Sequence, residues 1–191
     1  MNKAAQSAVA EAAAWCQHPF VVFDTETTGF GTDDEIIQIA IADQDGKTLL
    51  NTYIKPSSPI LNVEYHGITN EMVQGAPTFP DVYPQIIEAM AGKRLAAYNL
   101  AYDRRMLHQV VKRHKLTGLT RPTGLLCVME LYAPVFGEWN DYRGNYKWQK
   151  LDTAAKALKV ARDGAAHDAL SDVRVTLYVL RAMASLHEAQ S

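Results

Sequence analysis

The sequence predicts an α/β fold whose sheet begins with three antiparallel strands. Residues 20–23 (FVVF) form an apolar, β-rich run, which is typical of a strand buried on both faces. Residues 35–42 (EIIQIAIA) and 47–54 (KTLLNTYI) predict two further strands, and Asp45-Gly46 between them is a hairpin turn signal. Apolar residues at helical spacing occupy the segments near both ends of the chain.

The remaining elements alternate between helices and short apolar segments. An Ala-rich helix is predicted over 3–17, and His18-Pro19 ends it because proline restrains the residue before it. Residues 56–80 are loop-rich, with a short helix that Thr69 would cap. Further helices are predicted over 81–90, 99–115, 151–158 and 168–188, with a strand over 94–98 and a mixed strand and helix segment over 122–131.

Length, composition and charge bound the class of protein. A chain of 191 residues with 48% apolar residues fits one globular domain with a sizeable core. The net charge of −2 argues against a general nucleic-acid coat, but not against an enzyme that grips a few nucleotides and supplies positive charge through metal ions. Cys16 and Cys127 read as buried free thiols of a reducing compartment. Without a signal peptide or an 18-residue apolar run, we expect a cytoplasmic protein.

Two acids stand where the first predicted strand ends. Asp24 and Glu26 are separated by one residue, and side chains at i and i+2 of a strand point to the same face. Two carboxylates at such a short distance repel one another unless a positive charge lies between them. Carboxylate oxygens are suitable ligands for Mg²⁺ or Mn²⁺. The alternative is a plain strand end with acids in the following turn, as at 33–35 and 43–45. This motif alone leaves both interpretations open.

The helix predicted over 99–115 carries a third candidate carboxylate. Asn99 is a good N-cap residue, and Asp103 lies one turn further on the same flank. Asp103 could equally be an acid that interacts favourably with the helix dipole. The basic residues of this helix read as a solvated face, with a phosphate-binding track as the alternative: Arg104, Arg105, Lys112, Arg113 and Lys115.

Two histidines and an aromatic segment complete the candidate features. His167 immediately precedes the last helix, and Asp172 lies in its first turns, so that the imidazole could reach the carboxylate if His167 lies in the loop before the cap. The alternative is a turn histidine whose hydrogen bonds are satisfied locally, which is the commoner case for a lone histidine near a helix start. His66 could be a turn residue or the wall of a site. Residues 132–148 are rich in aromatic side chains and include Arg143 and Lys147, a combination that can stack bases and hold phosphates. Packing of these rings onto the core is the interpretation we favour.

Taken together, Asp24-x-Glu26, Asn99-x3-Asp103 and His167-x4-Asp172 resemble the motifs of the DEDD superfamily of 3′–5′ exonucleases, in its histidine-bearing DEDDh or DnaQ-like branch. The segments FDTETTG, HGIT and HDALSDV are similar to the family patterns, and the resemblance spans about 20–179. It implies an RNase H-like fold, with a central mixed five-stranded sheet led by three antiparallel strands and flanked by helices. It also implies a single exonuclease domain over 20–188, preceded by a helical extension over 1–19.

The same resemblance implies roles for individual residues. Asp24 would bridge two divalent ions, Mg²⁺ or Mn²⁺. Glu26 and Asp172 would help to hold the ion on the nucleophile side, and Asp103 would support the other. His167 would act as general base on the attacking water. The substrate-binding candidates implied by the resemblance lie in the turn after the first strand, in HGIT and at the helix start: Thr25, Thr27, Phe30, His66 and Asn99.

The implied function is a metal-dependent 3′–5′ exonuclease that releases nucleoside 5′-monophosphates from single-stranded ends, with DNA favoured over RNA and with proofreading or DNA repair as its setting. Two metal ions can lower the pKa of a bound water and stabilise the leaving 3′ oxygen. A non-catalytic binding module on the same fold is the alternative. Implied partners are single-stranded DNA or RNA 3′ ends and either a DNA polymerase or a second copy of the chain, with no membrane. Because the chain ends soon after the last helix, we expect independent action.

Overall fold

A five-stranded mixed sheet forms the centre of the structure, a computed structural model that describes residues 1–117 and 121–189. Its strands are β1 (Phe20–Thr27), β2 (Ile36–Asp43), β3 (Thr48–Tyr53), β4 (Arg94–Ala97) and β5 (Gly124–Cys127). They lie in the order β3-β2-β1-β4-β5, where β1, β2 and β3 pair antiparallel and β4 and β5 are parallel to β1. The predicted mixed sheet with three antiparallel leading strands is confirmed.

The central strand β1 is buried on both faces because its first four residues are all large and apolar. Phe20 and Val22 point into one hydrophobic core, and Val21 and Phe23 point into a second core on the opposite face. β1 continues to Thr27, so the two predicted acids lie within the strand rather than beyond it. The side-chain alternation of the strand thus places these acids on the same face as Phe20 and Val22.

Helices cover both faces of this sheet. One core joins α1 (Lys3–Cys16), α6 (Val128–Phe136), α7 (Leu151–Ala157) and α8 (Ala169–Glu188) to the strands, and the other joins α4 (Phe79–Met90) and α5 (Leu100–Arg113). Two single-turn helices, α2 (Val63–His66) and α3 (Asn70–Val73), lie in the long connection between β3 and α4. Within the described residues, no helix combines the length and the apolar character needed to cross a bilayer.

Some helix boundaries differ from those expected from sequence. The α4 helix begins two residues before the predicted start because Thr78 and Asp81 form a capping box there, which leaves Pro84 inside the helix. Asn99 does precede α5, but its side chain makes no capping hydrogen bond. The α2 helix was not expected. The free cysteines Cys16 and Cys127 are half-buried rather than fully buried.

The aromatic segment forms a small hairpin between α6 and α7, with strands β6 (Trp139–Asn140) and β7 (Asn145–Tyr146). Tyr132 is buried in the core beneath it, as the packing interpretation expects. That interpretation is wrong for Phe136 at the end of α6, which is 40% exposed, and for three rings of the hairpin segment: Trp139 is 47% exposed, Tyr142 is 96% exposed and Trp148 is 59% exposed. The hairpin projects its three side chains beyond the reach of the core.

Candidate functional site

A cavity of about 560 Å³ opens beside the C-terminal end of β1. Distant parts of the chain deliver acidic side chains to it, from β1, from the first turn of α5 and from the first turn of α8. The five predicted catalytic and metal-binding residues all line this one cavity: Asp24, Glu26, Asp103, His167 and Asp172.

Three of these side chains approach one another most closely. One ligand atom each from Glu26, His167 and Asp172 lies within 4.8 Å of the other two. In the part of the chain that the structure describes, Asp24 and Asp103 line the same cavity but fall outside this group. The group combines two carboxylate oxygens and an imidazole nitrogen, so it can hold a divalent metal ion.

Asp103 is fixed by β1. Its Oδ1 atom accepts hydrogen bonds from the backbone N–H of Thr25 at 3.0 Å and from the Thr25 hydroxyl at 2.7 Å. Asp103 is buried, and this burial raises its pKa to about 7, although the hydrogen bonds from Thr25 act in the opposite direction. The α5 helix therefore supplies a carboxylate whose orientation is set by its contact with the central strand.

The other carboxylates of the cavity are also costly to ionise. Burial raises the pKa of Asp24 well above its usual value, and the negative charges of Asp103 and Glu26 raise it further. Burial, followed by repulsion from Asp172, raises the pKa of Glu26 to about 9. Such a cluster of desolvated acids needs positive charge to become fully ionised, and its oxygen-rich donor set fits hard divalent ions.

Arg162 supplies one positive charge at the site, and sequence reasoning missed it. Its guanidinium donates to Asp172, to the Ser171 hydroxyl at 3.1 Å and to Oδ1 of Asp152 at 2.5 Å and 3.1 Å. Burial raises the pKa of Asp172, while the hydrogen bond from Arg162 lowers it. A lone arginine in a loop carries no recognisable motif, so only the nearby HDALSD segment could have drawn attention to it.

His167 occupies an exposed position at the rim of the cavity, immediately before α8. Its backbone is left-handed, with φ of +60°, a conformation that costs a non-glycine residue about 1–3 kcal/mol and that recurs at active sites. The next residue, Asp168, caps α8 by accepting from Ser171 N–H at 3.0 Å, and it accepts from the Gln38 amide of β2 at 2.9 Å. These bonds fix the start of the helix that carries Asp172.

An aromatic cluster stands at the mouth of the cavity. Phe30, a predicted substrate-binding residue, is 67% exposed. Its ring lies 6.1 Å from that of Tyr65 and 5.9 Å from that of Tyr102, as measured between centroids. Tyr65 and Tyr102 were not predicted as site residues. Tyr65 lies on α2, which was not expected, and Tyr102 lies between Asn99 and Asp103, the two positions of that segment that the family motif names.

The other predicted substrate-binding residues also line the cavity, but several of their polar atoms are already used. The Thr27 hydroxyl lies 2.5 Å from the Tyr102 hydroxyl and donates to the Gly29 carbonyl at 2.8 Å. The Thr25 hydroxyl donates to Asp103. His66 accepts at Nδ1 from Ile68 N–H at 3.0 Å, and burial lowers its pKa. Asn99 is exposed at the cavity wall.

Asn62 was missed by sequence reasoning and also lines the cavity. Its amide nitrogen donates to the Thr27 carbonyl at 3.1 Å. Its Oδ1 atom is buried and has no hydrogen-bond partner among residues 1–117 and 121–189. A buried acceptor without a donor is uncommon, and it marks a position that a ligand or an ordered water can satisfy.

The fold and the acidic cavity define an α/β nuclease. The chain belongs to the exonuclease family of the RNase T type, whose family profile matches residues 21–180. It is 38% identical over 178 residues to the uncharacterized exonuclease CP81 of Escherichia phage 186, and these residues make up 89% of this chain and 90% of the phage protein. It is also 31% identical over 156 residues to the PolC-type DNA polymerase III of Caldanaerobacter subterraneus, across 78% of this chain but only 10% of the polymerase.

Solved structures share the fold. The nuclease domain of 3′hExo, a DEDDh family member bound to rAMP, superposes with a TM-score of 0.68 at 19% identity, covering 89% of this chain and 92% of that one. E. coli exonuclease I in complex with a dA16 oligonucleotide superposes with a TM-score of 0.73 at 17% identity, and the match covers 91% of this chain and 42% of exonuclease I. The family profile and the phage relative confirm that the protein is an exonuclease, as predicted, and the solved structures confirm the predicted RNase H-like fold.

Proposed function

We propose that this exonuclease uses divalent metal ions to remove nucleotides from the 3′ ends of single-stranded DNA, and less readily of RNA, releasing nucleoside 5′-monophosphates. One observation carries the proposal: four carboxylates and an imidazole from three distant segments line a single cavity. Their mutual repulsion and burial, which raise the pKa values of Asp24, Glu26 and Asp103, would be relieved by bound cations.

Four acids would hold two ions, Mg²⁺ or Mn²⁺: Asp24, Glu26, Asp103 and Asp172. When bound, such ions lower the pKa of water and stabilise the charge that develops on a phosphodiester. Arg162 would keep Asp172 oriented through its hydrogen bond. His167, exposed at the rim, would act as general base and accept the proton of the attacking water.

The terminal nucleotide would lie at the aromatic mouth. Its base can stack on Phe30, beside Tyr65 and Tyr102, and the unpartnered Asn62 Oδ1 can accept a hydrogen bond from it. His66 and Asn99 would border the same pocket. The Thr25 and Thr27 hydroxyls already donate hydrogen bonds within the protein. These two threonines would therefore act mainly by shaping the turn that meets the nucleotide.

DNA is the favoured substrate because relatives of this chain include PolC-type DNA polymerases. The same relatives support proofreading or DNA repair as the setting, with a DNA polymerase or a second copy of the chain as partner. We also propose that residues 20–188 act as a single exonuclease domain with 1–19 as a helical extension. The half-buried free thiols accord with a cytoplasmic location.

The experiment that tests this function uses the purified protein with single-stranded DNA, RNA and duplex DNA, labelled at the 5′ end or at the 3′ end. With Mg²⁺ or Mn²⁺ we expect 5′-labelled single strands to shorten one nucleotide at a time and 3′-labelled strands to release a labelled mononucleotide at once. EDTA should stop both reactions. Binding of single strands without any product would favour a non-catalytic module, and shortening from the 5′ end would contradict the proposed polarity.

A further inference from the structure

An exposed aromatic platform lies next to the proposed active site. We call residues 138–148 the aromatic hairpin; it comprises β6, β7 and the residues that flank them. Its rings at Trp139, Tyr142 and Trp148 are all exposed, and none of these three belongs to any of the three hydrophobic clusters of the described residues. Clustered large aromatic side chains in contact with water are typical of binding surfaces.

The aromatic hairpin is held by its own cross-strand contacts. The Trp139 ring meets the Tyr146 ring edge to face, with centroids 5.0 Å apart. Lys147 pairs with Glu138 at 2.7 Å, and the Lys147 N–H donates to the Glu138 carbonyl at 2.8 Å. Asn2 donates to the Tyr146 hydroxyl at 3.0 Å. The exposed rings therefore stand on an ordered scaffold, which lowers the entropic cost of binding a ligand.

The chain that leaves the hairpin becomes the wall of the cavity. Lys150 and Leu151 follow Trp148 by two and three residues, and both line the cavity with the catalytic candidates. The Tyr98 hydroxyl, also at the cavity, donates to the Gln149 carbonyl at 2.7 Å and ties this segment to the site. A short segment, residues 149–151, thus joins the aromatic hairpin to the wall of the proposed nucleotide pocket.

Basic side chains that could contact phosphates stand at two places on this surface, beside the acidic Asp141 of the hairpin turn. Arg143 stands at the tip of the hairpin and Lys150 at its junction with the cavity, and neither forms a salt bridge within 1–117 and 121–189. Aromatic rings interleaved with basic side chains bind single-stranded nucleic acid without regard to sequence, because every base has a face that can stack.

We propose that the aromatic hairpin binds the single strand on the 5′ side of the nucleotide being removed. Bases stack on Trp139, Tyr142 and Trp148, and the phosphates pass Arg143 and Lys150. The inference rests on the proposed exonuclease function and adds a length requirement to it: strands long enough to reach the hairpin bind more tightly than very short ones. Duplex ends bind poorly there because paired bases cannot stack on the rings.

The test compares a double variant, which carries both Tyr142→Ser and Trp148→Ser, to the parent protein, whose hairpin is not substituted. This pair removes two exposed rings and leaves the Trp139–Tyr146 contact in place, so the hairpin should stay folded. Tyr178→Ala is the matched control, since Tyr178 is 40% exposed on α8 and does not line the cavity. Fluorescence anisotropy, with every protein in the Asp24→Asn background to prevent cleavage, gives the Kd for a single strand longer than about 16 nucleotides and for a trinucleotide.

We expect the double variant to bind the long strand at least about 10-fold more weakly and the trinucleotide with unchanged affinity, while Tyr178→Ala binds both like the parent. With the catalytic acids intact, kcat/KM should fall for the long strand only. Equal binding of the long strand by parent and double variant would overturn the proposal, as would an equal loss for both lengths. An unsubstituted protein without nuclease activity would refute the proposed function instead, so the two failures are distinguishable.

Discussion

Arg162 donates a hydrogen bond to Asp172 and thereby ties the loop that carries His167 to the first turn of α8. The same guanidinium bonds to Asp152 of α7 and to Ser171 of α8. These contacts from one side chain connect two helices and the loop before the proposed general base. The position of that base therefore depends on a residue outside the family motifs.

Replacing Arg162 with Gln should reduce exonuclease kcat about 10- to 100-fold, the range expected when a hydrogen-bond partner behind a metal-binding carboxylate is removed. Arg162→Lys should recover only part of the loss, because an ammonium group cannot donate to Asp152 and Asp172 with the geometry of a guanidinium fork. Arg174→Gln is the control, since the ion pair that Arg174 forms among the described residues is a long 3.8 Å contact with the exposed Asp163. Full kcat in Arg162→Gln would show that this contact is dispensable.

The metal-free protein should lose stability as the pH rises. Burial raises the pKa of Glu26 to about 9, whereas an unfolded glutamate titrates near 4.5. Between these values the folded protein holds more protons than the unfolded chain, so the free energy of unfolding falls with increasing pH. Calorimetry in EDTA should give a lower melting temperature at pH 9 than at pH 5.

The variant Asp24→Asn should flatten this dependence, because it removes one of the charges that raise the cost of ionising the cavity. Its melting temperature at pH 9 should exceed that of the unsubstituted protein. Asp45→Asn, in the exposed turn between β2 and β3, should not change the slope. A steep loss of stability that persists in Asp24→Asn would mean that other groups cause it.

Affinity for Mn²⁺ should increase with pH. Ligand carboxylates must lose their protons before they bind a metal, and the pKa values of Asp103 and Glu26 lie at about 7 and about 9. Isothermal titration between pH 6 and pH 9 should give a falling Kd. Buffers of different ionisation enthalpy should reveal protons released on binding. A Kd that is constant over this range would contradict the raised pKa values.

His167→Ala should reduce kcat about 10²- to 10⁴-fold, the contribution usual for a positioned general base, and should leave Mn²⁺ affinity largely intact. His167 also lies within 4.8 Å of Glu26 and Asp172, at a distance from which it could bind an ion itself. Titration of the variant with Mn²⁺ separates these roles, since loss of binding would identify the imidazole as a ligand instead of a base.

The parts of the fold that sequence predicted are those encoded locally. Four consecutive apolar residues predict the first strand. The turn at Asp45-Gly46 predicts that β2 and β3 form a hairpin, and Gly46 has a φ of +87° there. Asp24 and Glu26 were recognisable because their spacing and the family motifs agree. By contrast, α2 is a single turn without an amphipathic period, so no pattern distinguishes it from a loop.

What the sequence could not supply are properties that arise only from tertiary contacts. Arg162 looks like any solvated arginine until α7 and α8 bring Asp152 and Asp172 to it. The composition of the aromatic segment is compatible with both packing and binding. Its rings stay exposed because the hairpin stands away from the core, which depends on how α6 and α7 are joined.

The most direct test of the acidic cavity is the rate at which 5′-mononucleotides are released from single-stranded DNA in Mg²⁺ by Asp24→Asn and Asp172→Asn, each shown by circular dichroism to be folded. We predict that both variants fall to the rate that the unsubstituted protein shows in EDTA, while Asp45→Asn remains fully active. Undiminished release by either cavity variant would contradict the assignment of these carboxylates to metal-dependent cleavage.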